Sequence, residues 1–158
     1  MLFRSTNMAP GDVVNRYVTL ENNGSLDGQT LALKTEQIGA GTLITDGTTT
    51  RALQLTVSSC SVPWNPVSGE CKNGLVTGTV SSELNATTIG SLSNFTNLVS
   101  SSLVNSGSFK YLKMSLQLPD QSETSSNGNI IEPSVQGKQV TITYIFNLSQ
   151  RTAKITNS

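Results

Sequence analysis

The chain contains no histidine. That excludes a Ser-His-Asp triad, a Cys-His pair, an H-E-x-x-H zinc site and every other histidine-ligated metal. Charge is scarce too: charged residues are 13% of the sequence, and ten basic side chains cancel ten acidic ones. A chain with no net charge has no electrostatic case for nucleic acid or an anionic membrane as partner. Few apolar runs exceed four residues, so no segment reads as a membrane span. The opening Met1-Leu2-Phe3-Arg4 is too short for a signal peptide and leads straight into polar sequence. The glycines form no phosphate-binding pattern.

What is present is a length of 158 residues with 35% hydrophobic side chains, enough for one domain spanning 1–158 with a core of its own. Serine and threonine make up roughly a quarter of the chain, well above average usage. Cys60 and Cys71 enclose S-V-P-W-N-P-V-S-G-E. Two cysteines without histidine cannot build a structural zinc site. They are either unlinked thiols or, as we read them, a disulfide closing a loop of about 12 residues, worth roughly 3 kcal/mol in the chain-entropy model. A disulfide and a Ser/Thr-rich, charge-poor surface point to an oxidising extracellular setting. N-x-[ST] triplets start at Asn23, Asn85, Asn94 and Asn147; in a chain this rich in Ser and Thr, chance alone yields about four, so they carry little weight as glycosylation sites.

Period-two alternation dominates the pattern. Val14, Val18 and Leu20 share one parity, with Arg16 as the misfit. Leu31 and Leu33 follow, then Leu53, Leu55 and Val57. Leu112, Met114, Leu116 and Leu118 alternate with Tyr111, Lys113, Ser115 and Gln117. Val140, Ile142, Tyr144, Phe146 and Leu148 form the last series. Each predicts a half-buried strand, with Val14, Val18, Leu20, Leu112, Met114, Leu116, Val140, Ile142, Tyr144 and Phe146 lining a core or groove. Turn signals lie at Pro10-Gly11-Asp12, Asn22-Asn23-Gly24, Asp46-Gly47 and Asn127-Gly128. Together these predict an all-β, antiparallel sandwich with at most short helices in its connections. Ile89, Leu92, Phe95, Val99 and Leu103 fall near helical spacing and predict a short amphipathic helix, against the poor helix propensity of the Ser, Thr and Asn around them. The polar stretch 119–137 reads as an exposed connection between two neighbouring strands.

Little catalytic chemistry can be assembled, and we assign no catalytic, cofactor or metal residue. Asp12, Glu21 and Asp27 read as turn and strand-end residues. Asp120, Glu123 and Glu132 are candidate calcium ligands, but they lack the spacing of a calcium loop and read better as solvated charges. Trp64 is a candidate contact residue or a cover for its own disulfide.

Two stretches carry a resemblance. The first holds Pro10-Gly11-Asp12, then a strand, then Glu21-Asn22-Asn23-Gly24-Ser25-Leu26; the second is a strand running through Phe146 to Gln150. In order and spacing they resemble the TasA/CalY (camelysin) family of secreted biofilm-matrix fibre proteins. The strand Phe109–Leu118 is similar to the family's penultimate strand, while the middle, with both cysteines, has no counterpart. The resemblance implies a jelly-roll subunit of an extracellular fibre. Such subunits assemble with copies of themselves, and with other matrix or anchoring proteins, by donating an N-terminal strand upstream of P-G-D to the next subunit. Four or five inserted apolar side chains would contribute on the order of 10 kcal/mol before ordering costs. Head-to-tail insertion makes filaments rather than closed rings. It also implies a signal peptide and a longer donor strand upstream of residue 1, because only Leu2 and Phe3 are available to insert here; the alternative is that Met1–Thr6 is itself a short donor. The family name carries a metalloprotease label, which does not transfer to a sequence without histidine. The rival readings are a monomeric surface module binding carbohydrate or protein, with Trp64, Tyr17 and Tyr111 as stacking groups, and, last, a secreted peptidase.

Overall fold

The computed structural model describes residues 2–5, 8–99, 105–123 and 125–151. Its strands are β1 (Leu2–Ser5), β2 (Val13–Glu21), β3 (Gly28–Gly39), β4 (Gln54–Cys60), β5 (Lys72–Asn73), β6 (Val76–Thr77), β7 (Val80–Thr88), β8 (Thr96–Asn97), β9 (Phe109–Gln117), β10 (Ser125–Ser126), β11 (Asn129–Ile130) and β12 (Val140–Gln150). One helical turn, α1 (Gly41–Ile44), follows β3. Two four-stranded antiparallel sheets form, in the orders β1-β12-β3-β8 and β2-β9-β4-β7. Successive long strands alternate between the sheets, so this is a β-sandwich of jelly-roll type. Only the passage from β4 to β7 stays within one sheet; it carries the small β5–β6 hairpin.

The alternation read from the sequence is the alternation of burial. In β9, Leu112, Met114 and Leu116 are buried while Lys113 and Ser115 between them are half-exposed. Val140, Ile142 and Tyr144 do the same in β12, and Leu55 and Val57 in β4. Val14, Val18 and Leu20 pack against this core from β2, at the margin of the second sheet, and are only half-buried.

The helix expected from Ile89 onward does not form. Ile89–Leu92 is a single 3₁₀ turn, whose three-residue period sends both Ile89 and Leu92 into the core. The chain then extends into β8, leaving Phe95 and Val99 exposed; Leu103 lies outside the described residues. Strand β7 was hidden by register shifts in its pairing with β4, around Val57. A bulge places two successive residues on one side, and Glu83 and Leu84 are both buried.

The stretch 119–137 also differs from expectation. It joins β9 to β12, which lie in different sheets, so it crosses the sandwich rather than linking neighbours. Part of it is buried, at Ser134 and Val135. Within it Asn127 and Gly128 both have positive φ, 52° and 77°, as the tight turn between β10 and β11 requires.

Replacing buried Leu116 by Asp is expected to abolish cooperative unfolding, because it buries an unpaired charge. Thr141→Ala, on the outer side of β12, should shift stability by no more than about 0.5 kcal/mol. Urea denaturation followed by circular dichroism compares the two; similar losses would contradict the inward and outward assignment.

Candidate assembly site at the open side of the sandwich

Strand β12 is paired with β3 along its whole length, from Val140↔Gly39 to Gln150↔Gly28. Its other edge is paired with β1 only from Leu2↔Thr143 to Ser5↔Val140. Among the described residues, 144–150 have no strand on that side. Strand β2 likewise ends the second sheet. Between these two margins lies an apolar crevice of about 180 Å³ lined by Leu20, Glu21, Leu31, Phe146 and Leu148. Phe146 and Leu148 are only half-buried, unlike Val140, Ile142 and Tyr144 earlier on the strand. Burial keeps the Tyr144 phenol above its ordinary pKa, against the opposing charge of Arg16.

The two separated sequence motifs meet around this crevice. Asn22 is buried; its side-chain oxygen accepts from Gly24 N at 3.0 Å and its amide donates to Leu26 O at 2.9 Å. Its backbone is tied to Gly107 and Ser108, fixing the loop to the start of β9. Gly24 lies against the Gln150 side chain and Gly28 against Leu148, so a Cβ at either position would displace that side chain. Asn23 and Ser25 are exposed at the loop's surface and Leu26 is half-buried. At the opposite end Pro10, Gly11 and Asp12 make a turn: Gly11 has φ +91°, its N–H donates to Leu118 O at 2.8 Å, and Asp12 Oδ2 accepts from Ala9 N at 2.8 Å. These residues shape the two ends of β2.

The acidic candidates are occupied structurally. Asp27 Oδ1 accepts from Ser106 N, and exposed Glu21 sits at the crevice mouth. Glu123 accepts from Val135 N at 2.6 Å and from the Ser134 hydroxyl. The Lys138 ammonium and Ser134 N–H hold the Glu132 carboxyl below its ordinary pKa. Asp120 is exposed.

Cys60 and Cys71 form a disulfide, with Gly78 packed directly on its sulfurs. Trp64 lies within the loop that this bond closes. Its indole N–H donates to Tyr111 O at 3.1 Å, the Lys113 ammonium lies 4.6 Å from its ring, and Tyr17 packs beside it. The disulfide loop is thereby pinned to the outer face of the second sheet. Sequence reading missed one group entirely: Glu83, fully buried, lies 3.0 Å from Lys110 Nζ and accepts from Ser59 Oγ at 2.5 Å. No spacing signal marks it, because the bulge in β7 breaks the alternation that would have assigned it.

The sequence matches the family described as camelysin metallo-endopeptidase over residues 1–154. The chain belongs to the camelysin family. No curated protein matches it. The family description names a metal-dependent peptidase, and the donors of this camelysin relative can be tested against that. It has no histidine, and both cysteines are consumed in the disulfide. Among the described residues no three His, Cys, Asp or Glu side chains gather to hold a metal ion. This donor set does not fit a peptidase zinc site. Also among the described residues, no helix is long and apolar enough to cross a membrane.

Lys110→Met is expected to destabilise the domain by about 3 kcal/mol, because it strips the ammonium from a carboxylate that stays buried. Glu83→Leu combined with Lys110→Met should recover most of that loss, since the apolar pair buries no charge. Urea midpoints of the single and double variants decide it.

Proposed function

We propose that this protein is a non-catalytic structural subunit of an extracellular fibre in a biofilm matrix, and that successive copies join by strand donation. The observation that carries the reading is the apolar crevice between β2 and β12, where Leu20, Phe146 and Leu148 are only half-buried. Among the described residues, β1 pairs with β12 only from Val140 to Thr143. Because β1 runs antiparallel to β12, stepping toward the N-terminal side of a strand in this register leads along 144–150. A longer extended segment from a neighbouring copy, taking the same place, would pair with the rest of the edge. Its alternate side chains would cover Leu20, Phe146 and Leu148. Each apolar side chain fully buried in this way contributes roughly 1.5–3 kcal/mol, and four or five of them outweigh the ordering costs of a single extended segment. The contact is heterologous, so repetition builds a filament. Camelysin family membership supports secretion or a cell-surface location, and the disulfide fits an oxidising compartment.

Negative-stain electron microscopy of the secreted full-length protein is expected to show fibres with a regular axial repeat. Leu148→Asp places a charge in the crevice at a half-buried position, so it should leave a folded monomer by circular dichroism and size exclusion but no fibres. Dispersed native monomers, or undiminished fibres from the variant, would overturn the reading.

A further inference from the structure

We propose that the cleft where β4 leaves the second sheet binds a neutral polysaccharide. Pairing of β4 with β9 ends at Cys60↔Tyr111, while β9 begins two residues earlier at Phe109. The chain turns away at Ser61, whose backbone N–H donates to Thr79 O at 3.1 Å and whose hydroxyl accepts from Thr79 N at 2.8 Å. The departure opens a cleft of about 340 Å³ between Phe109 and Tyr111 on one side and Ser61, Thr79 and Ser81 on the other.

The aromatic wall is built as a platform. Phe109 and Tyr111 lie two apart on one strand and so share its outer face. Their rings are 9° from parallel with centroids 6.2 Å apart, a stacked pair that lines one wall of the cleft. Phe109 is nevertheless 50% exposed. The opposite wall is hydroxylic. Ser61 Oγ accepts one bond and keeps its own proton to donate, and among the described residues no hydrogen bond engages the hydroxyls of Thr79 and Ser81. Lys110, at the cleft, has its charge matched by buried Glu83, and the adjoining Cys60 is held by the disulfide. The cleft is therefore apolar on one side, hydrogen-bonding on the other, electrically balanced and braced.

A pyranose has the complementary shape. Its axial C–H bonds make one apolar face for the rings, and its equatorial hydroxyls reach sideways to donors and acceptors. Nucleic acid would need a positive track, which a chain of zero net charge with a compensated lysine does not offer. Of the aromatic groups singled out from the sequence, Trp64 and Tyr17 are packed against each other with Lys113 over the indole, so Tyr111 remains and Phe109 joins it. The site lies on the second sheet and does not depend on the assembly reading.

The test titrates the full chain by isothermal calorimetry and amide NMR with cellohexaose, chitohexaose and laminarihexaose, and with hexagalacturonate as the charged control. At least one neutral probe is expected to bind with a dissociation constant in the micromolar to millimolar range, shifting amides of 59–61, 79–81 and 109–111. Phe109→Ala and Tyr111→Ala, checked for folding by circular dichroism, should each weaken binding about tenfold. Phe95→Ala, an exposed aromatic of the other sheet, should leave it unchanged. The proposal is overturned if no neutral probe binds at millimolar concentration, if the shifts map elsewhere, if Phe109→Ala binds as wild type, or if the uronate binds equally well.

Discussion

A strand in a sandwich must satisfy two edges and one buried face at once, and β12 meets this demand unevenly. Its β3 edge is paired from end to end, while among the described residues its other edge is paired only from Val140 to Thr143. Val140, Ile142 and Tyr144 are covered, whereas Phe146 and Leu148 further along the strand are half-covered. Unpaired backbone groups beside incompletely buried apolar side chains are what an added strand relieves. Each half-covered side chain forgoes on the order of 1 kcal/mol of burial. The long β12–β3 ladder lets the fold carry that deficit.

The sequence made the core strands legible because a sandwich strand writes its burial directly as alternation, as Leu112, Met114 and Leu116 show. It was silent where the backbone breaks that period. The irregular β4–β7 register puts Glu83 and Leu84 on the same side, and neither alternation nor hydropathy marks a fully buried glutamate. Ile89 and Leu92 looked like one face of a helix because three-residue spacing belongs to the 3₁₀ turn as well. The crossing made by 119–137 is a property of strand order, which turn residues such as Asn127-Gly128 do not encode. At the candidate site, Leu20 and Phe146 were visible as groove residues. That they line one crevice depends on how β2 and β12 lie in their two sheets, which no local pattern states. Trp64 was visible as an aromatic in a loop, but its binding to Tyr111 O and Lys113 is a tertiary contact.

The same economy of charge runs through the interior and the surface. Ten charges of each sign leave few to place, and the one fully buried carboxylate, Glu83, is met by Lys110 and Ser59. A buried ion pair is a weak source of stability. Its position gives it a structural role: it ties the start of β9 to β7 close to where β4 leaves from between them. An apolar pair would seal that corner, whereas the ion pair holds it while leaving polar walls around an open cleft.

The disulfide loop is inserted at the one long connection that stays within a sheet, between β4 and β7. That placement has a topological reason. Every other long connection passes between the sheets at an end of the sandwich, so enlarging it risks moving a core strand from one layer relative to the other. A loop between sheet neighbours can grow outward over its own sheet, and here it is pinned there by Trp64, Lys113 and the sulfur bridge. The margin of β12 lies in the first sheet and the aromatic cleft on the second. In a filament built through the first, the cleft would recur once per subunit and remain exposed. Weak binding at each copy then adds through effective concentration, since a polymeric glycan held at one subunit meets the next at a fixed distance. A site too open to hold a single sugar tightly is suited to that regime, because affinity there comes from repetition.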